Sequence, residues 1–218
     1  MSTAASGETL SAALRREGRS RTFQRGQALF TEGDRAERVF LIERGWVIIT
    51  CTAPGGREIV LGLRGPGEML GELSALDGEP RSASAVTVSE VETIVVSGSA
   101  LARALDEVEA AREIIRMLAA RLRDADRKRL EFAALDTLGR VAWRLLELSE
   151  RFGDEIAEGI SVELPLSQEQ LAGWCGASRE STVKALASLR ALGCITTGRR
   201  HVLIRDVETL RRHAGGIV

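Results

Sequence analysis

The stretch DEVEAAREIIRMLAARLRDADRKRLEFAA, Asp106–Ala134, decides how the rest of the chain is read. It has neither Gly nor Pro and is built largely from Ala, Leu, Arg and Glu, residues that lose little on entering a helix. At 1.5 Å per residue it predicts a rod of roughly 40 Å, well beyond the ordinary three-turn helix. Its less polar positions, Ile115, Leu118, Leu122, Ala125 and Phe132, follow alternating steps of three and four, with Arg129 interrupting. Such a seam on a charged helix needs a cover. Either the chain's own domain supplies it or the same helix of a second subunit does. Parallel pairing of two subunits is preferred, because the segments on either side of the rod have different textures.

Upstream, residues 1–20 are small and polar and read as a loosely held arm, with a helical turn or two at Thr9–Arg16. From Thr22 to Val96 short apolar runs alternate with turn signals: Ala28–Phe30, Arg38–Ile42, Trp46–Thr52, Glu58–Leu63, Ala83–Thr87 and Glu92–Val96. Strands at this spacing predict an antiparallel roll, with Pro54-Gly55-Gly56 as a hairpin turn. Downstream, Thr137–Phe152 is an amphipathic helix closed by Gly153, followed by an acidic loop, Gly153–Gly159, and a strand at Ile160–Leu164. Ser167–Leu192 holds two short helices broken at Gly176. Cys194–Thr197 and Val202–Ile204 then make a hairpin, and Asp206 caps a last helix.

The 218 residues can form one large domain or two small ones, and the net charge of −1 means that any affinity for nucleic acid is local. No run is apolar enough to span a bilayer and the N-terminus lacks a signal-peptide pattern, so a cytoplasmic protein without a membrane partner is expected. Cys51, Cys175 and Cys194 are scattered and form no CxxC, and both histidines, His201 and His213, lie near the C-terminus. The first 135 residues therefore have one Cys and no His. That pattern excludes a histidine-ligated haem, a four-cysteine iron–sulfur cluster or an ordinary zinc site there, and no metal is expected. No Ser-His-Asp set and no complete P-loop is present, so the chain does not read as an enzyme.

Two segments carry chemistry. In GEMLGELS, Gly67–Ser74, followed by Pro80-Arg81-Ser82-Ala83, a Gly before a short helix lets backbone N–H groups approach an anion. Arg81 offers a planar fork for phosphate, Ser82 a hydroxyl, and Glu72 an acceptor for a ribose hydroxyl. In the second segment Ser167 caps one helix, Gly176 makes a turn and Ser178 caps the next. Arg179, Glu180 and Lys184 there occupy the exposed face at the start of the second helix, where base edges are met. Ser181 and the hairpin tip Arg199, Arg200 and His201, with Ser167 and Gln168 at the first helix, are expected to contact phosphates or bases.

GELSALDGEPRSAS, Gly71–Ser84, resembles the phosphate-binding cassette of the cyclic-AMP receptor protein / FNR (Crp/Fnr) family of bacterial transcriptional regulators, and the likeness runs from about Thr22 to the C-terminus. It implies Glu72 on the ribose hydroxyl, Arg81 on the cyclic phosphate, and Ser82 with the Gly71 backbone completing the cradle, in which Leu73 and Ala83 also sit. Relatives that bind cyclic AMP carry Thr followed by Ser or Asn on the long helix. Ala125 and Asp126 stand there, so cyclic AMP leads only narrowly over cyclic GMP, another nucleotide or no ligand.

Ser178–Leu186 resembles the family's recognition helix. The likeness implies Arg179 on a guanine edge, Glu180 on cytosine N4, and Lys184 in place of a usual arginine. Thr182 stands where an apolar β-branched residue is usual, and is expected to bury its methyl and bond its hydroxyl to the helix backbone. The fold expected is α+β: an arm (1–21), a jelly-roll-like β-roll (22–105), a dimerisation helix (106–135) and a winged helix-turn-helix (136–218). The partners expected are an inverted-repeat DNA duplex, a second copy of the chain and RNA polymerase, with a hinge near Leu135–Asp136. A nucleotide-binding module without specific DNA binding is the alternative of another class.

Overall fold

The run Val39-Phe40-Leu41-Ile42 is buried on both sides of its strand, and two cores form on its two faces. The computed structural model describes residues 9–35, 37–56 and 58–215. The chain divides into two compact units, Met1–Ala125 and Asp126–Val218. In order, the first contains α1 (Leu10–Glu17), β1 (Arg19–Phe23), β2 (Ala28–Phe30), β3 (Arg38–Arg44), β4 (Val47–Thr52) and β5 (Glu58–Arg64). β6 (Met69–Leu70), α2 (Glu72–Asp77), β7 (Ser84–Thr87), β8 (Val91–Ser97), α3 (Gly98–Ala104) and most of α4 (Val108–Ala134) follow.

Two antiparallel sheets, ordered β1-β8-β3-β6 and β2-β7-β4-β5, make the roll. Side chains alternate along a strand. Phe40 and Ile42 of β3 therefore join Val47, Leu70, Ala85 and Val91 in one core, while Val39 and Leu41 face α1, α3 and the start of α4. The expected loosely held arm does not describe Leu10–Glu17. That segment is a helix capped by Thr9, with Leu10, Ala13 and Leu14 buried in the second of these cores. The arm's first eight residues lie outside the described ones. β1 carries no strand signal in its sequence, because RSRTF has no apolar face; it is an edge strand whose first four residues are exposed.

The second unit contains α5 (Thr137–Phe152), β9 (Gly153–Ile156), β10 (Gly159–Glu163), α6 (Gln168–Trp174), α7 (Arg179–Ala191), β11 (Ile195–Gly198), β12 (His201–Ile204) and α8 (Val207–His213). Part of the acidic segment is thus a strand and not a loop: β9 pairs with β10, giving the sheet order β11-β12-β10-β9. α5 has the predicted bounds, with the Asp136 carboxylate accepting from the Gly139 amide at 2.8 Å.

α4 is 27 residues long, and the expected seam divides along it. Ile115 and Leu122 are 63% and 62% exposed, and Ala125 is exposed. Leu118 instead packs against the first unit's core beside Ala110 and Ile114. Phe132 turns toward its own unit, as described below. The physical reason is the helical repeat: a straight helix drifts ~20° per heptad from a strict seven-residue pattern, so one stripe cannot hold one side over this length.

Candidate functional site

Gly71 stands at φ 82°, immediately before α2. A Cβ added there would lie 2.5 Å from a guanidinium nitrogen of Arg81, so Gly alone has both the torsion and the room. Arg81 is only 4% exposed. Its Nη1 donates to the Gly71 carbonyl at 2.7 Å and its Nη2 to the Arg38 carbonyl, with the Phe30 ring centre 4.4 Å from its Cζ. Burial pulls its pKa below the ordinary arginine value, opposed by Glu72 and Asp34. Arginine nonetheless stays protonated in proteins, so a positive charge is held inside the unit.

Glu72 opens α2 and is 2% exposed. Its Oε1 accepts from Nη1 of Arg121 on α4, whose Nη2 donates to the Met69 carbonyl. Burial also lowers the Arg121 pKa, against the pull of Glu72. Glu72 Oε2 and Arg81 Nε are buried with no hydrogen-bond partner in the protein. Each such group costs about 1–3 kcal/mol. An unused carboxylate acceptor and an unused guanidinium donor in one cassette fit a molecule that brings a hydroxyl and an anionic oxygen.

The structure brings Gly71, Glu72 and Arg81 together. Ala83 is buried beside them in sequence, while Leu73 and Ser82 are exposed. Ala125 and Asp126 fall at the division between units, and the Asp126 carboxylate pairs with Arg129 on its own helix at 3.0 Å. Arg121 was missed from sequence, although it precedes Ala125 by one helical turn. The signal available was that a buried Glu needs a cation, and α4 offers several. Among the described residues no group of three or more His, Cys, Asp or Glu side chains is placed to hold a metal ion.

In the second unit, α6 carries a capping box. Ser167 Oγ accepts from the Gln170 amide at 3.1 Å, and the Gln170 side chain accepts from the Ser167 amide at 2.9 Å. Ser178 caps α7 by accepting from the Ser181 amide at 3.1 Å. Thr182 is buried and its hydroxyl donates to the Ser178 carbonyl at 3.0 Å, the arrangement expected. Thr182, Ala185, Leu186 and Leu189 face inward, leaving Arg179, Glu180, Val183 and Lys184 on the outer face. Glu180 and Lys184 pair at 2.7 Å in the open, a contact worth little in water.

Ser167, Gln168, Arg200 and His201 line one cavity of about 200 Å³, floored by leucines of α6, α7 and the segment before them. Arg199 is exposed at the hairpin tip. Arg200 stands at φ 56° and donates to the Pro165 carbonyl at 2.9 Å, and His201 Nε2 lies 2.9 Å from Ser161 Oγ. These two side chains therefore have partners inside their unit. Trp174 is buried and packs under Arg144.

Residues 20–108 match the cyclic nucleotide-binding domain, and residues 139–213 match the Crp-like helix-turn-helix domain. Over 204 residues the chain is 39% identical to the CRP-like cAMP-activated global transcriptional regulator of Mycobacterium tuberculosis, covering 93% of this chain and 91% of that protein. The cyclic AMP receptor protein of Thermus thermophilus is 33% identical over 200 residues, 90% of this chain and 88% of the relative. Among solved structures, a CRP-family transcriptional regulator, also of Thermus thermophilus, aligns with a TM-score of 0.78 at 29% identity, covering 89% of this chain and 96% of that one.

Proposed function

The chain belongs to the Crp/Fnr family of transcriptional regulators, and from that premise we propose that it acts as a homodimer on an inverted-repeat DNA site under the control of a cyclic nucleotide, cyclic AMP first. It is a DNA-binding regulator and not an enzyme. The observation that supports nucleotide control is the pair of unused buried atoms, Glu72 Oε2 and Arg81 Nε, beside a Gly that leaves no room for a side chain. A ribose hydroxyl would satisfy the first and a cyclic phosphate oxygen the second. Two relatives that share the domain order are named for cyclic AMP.

Pairing of α4 with a second copy would cover Ile115 and Leu122. It would also set two α7 helices about one DNA turn, ~34 Å, apart. Arg179 and Glu180 would read base edges, Lys184 and Ser181 would assist, and Arg199 would meet phosphate. Ligand binding would act by shifting the population toward the arrangement in which both heads fit the groove. RNA polymerase is the further partner this reading implies.

A second reading rests on Ala125 and Asp126. An acidic side chain and no hydroxyl at the expected base-facing positions favour another nucleotide, such as cyclic GMP, or a ligand-independent regulator. Calorimetric titration of the purified chain with cyclic AMP and cyclic GMP, with and without an operator duplex, separates these. Heat with cyclic AMP and tighter duplex binding is the expected result. Heat with cyclic GMP alone selects the second reading, no heat with either removes cyclic-nucleotide control, and binding to no inverted repeat leaves a nucleotide-binding module.

A further inference from the structure

Two arginines one turn apart on α5 each hold the end of α4 with one hand and the turn between α6 and α7 with the other. Arg140 donates from Nε to the Cys175 carbonyl at 2.8 Å and from Nη1 to the Leu135 carbonyl at 2.6 Å. Its guanidinium carbon lies 5.3 Å from the centre of the Phe132 ring. That ring fills the space beside Gly176, where an added Cβ would sit 2.3 Å from it. One turn on, Arg144 donates from Nη2 to Glu131 at 2.6 Å and from Nη1 to Glu147 at 2.8 Å, with the Trp174 ring centre 5.1 Å from its Cζ. Arg144, Glu131 and Trp174 are all buried.

We infer that Arg140 and Arg144 are positioning residues that bolt Glu131–Leu135 to Trp174–Gly176, so that the last turn of α4 and the turn into α7 move as one body. A planar guanidinium that bonds two carbonyls from two different elements fixes their mutual angle as well as their distance. The buried Glu131–Arg144 pair adds a bond that is costly to break, because either partner alone would be a desolvated charge. The expected hinge at Leu135–Asp136 is held on both sides. The Leu135 amide still donates to the Glu131 carbonyl at 2.9 Å, and Asp136 is locked as the cap of α5. Any joint that lets α4 swing lies upstream of Glu131, and a reorientation of the last turn of α4 carries the recognition helix with it.

The inference depends on neither the nucleotide nor the operator, so its failure is separable from that of the proposed function. Amide hydrogen exchange on the full chain tests it, because reporters exist on both sides of the bolt. The Leu135 amide bonds to Glu131, and the Ala177 amide donates to the Ala172 carbonyl at 3.0 Å. One body requires both amides to open with the same protection and the same dependence on denaturant. In Phe132→Ala/Arg140→Met, Leu135 should exchange about tenfold faster relative to Ala177, a ratio that a uniform loss of stability does not move. Arg140→Lys, which keeps the charge but not the fork, should shift the ratio in the same direction if the double variant does not fold. Native Leu135 exchanging about tenfold faster than Ala177, or a ratio unmoved in the variants, overturns the bolt and restores a hinge at Leu135–Asp136.

Discussion

Glu72 and Arg121, 49 residues apart in sequence, form a buried ion pair that fastens the first turn of α2 to α4. Removing one partner of such a pair strands the other charge. Arg121→Met should therefore cost the N-terminal unit about 3–5 kcal/mol in denaturant unfolding. Replacing both, Glu72→Leu/Arg121→Met, should recover most of that stability while abolishing the heat of cyclic AMP binding. A single variant as stable as the native chain would show that the pair is solvated.

Arg81 is the proposed phosphate ligand, and its planar fork is what a lysine cannot copy. Hydrogen bonds to charged groups contribute about 1.5–3 kcal/mol, so Arg81→Lys should bind cyclic AMP roughly ten- to a hundredfold more weakly. The shift in melting temperature produced by the ligand is the readout. It separates lost binding from the stability also lost when the bonds to Gly71 and Arg38 go.

On the reader, Arg179→Ala should flatten sequence preference at one base pair of each half-site by ~1–3 kcal/mol. Arg199→Ala, at the exposed hairpin tip, should instead weaken all sequences alike and reduce the salt slope of binding by about 1. A selection of operators from random duplexes, followed by titration at several salt concentrations, distinguishes the two behaviours.

The exposed face of α4 makes its own prediction. Leu122→Glu places a charge where the proposed seam is 62% exposed in the single chain, so folding should be untouched while pairing is lost. Sedimentation equilibrium should find the native chain dimeric and the variant monomeric at micromolar concentration.

Cys175, against α5, has its thiol pushed up to about 12 by burial, from the ordinary 9.0, despite the nearby Arg144 and Arg140. A raised folded pKa stabilises fully below the unfolded value and is lost as pH rises through the folded one. The C-terminal unit should therefore lose stability from about pH 9 upward, as the unfolded thiol ionises and the folded one does not. The chain has no tyrosine, and its only lysines are Lys128 and Lys184, so this slope stands on a quiet background. Burial raises Cys51 and Cys194 in the same direction, and Cys175→Ala should remove the largest share of the slope in urea unfolding measured against pH.

Elements with a strong local signature were legible before any coordinates. α5 has its predicted bounds, and β2 matches Ala28–Phe30, because apolar period and cap or turn residues agree there. β1, α3 and β9 were not, since an edge strand such as RSRTF or a short alanine-rich helix has no periodic apolar face to announce it. Within the cassette Glu72 and Arg81 could be named as a pair, but nothing nearby in sequence pointed to Arg121.

By itself the sequence determined where helices and strands begin, that the long rod exists, and which residues carry the family's two motifs. Those depend on neighbours within a few positions, where torsion, capping and period act. Only the tertiary structure decided that Leu118 faces its own core, that Phe132 leaves the seam to fill the space beside Gly176, and that Arg140 and Arg144 grip the turn of the reader. These are choices among many available partners for buried charges and rings. They are settled by which side chains the packed chain excludes from water together, a quantity no local window contains.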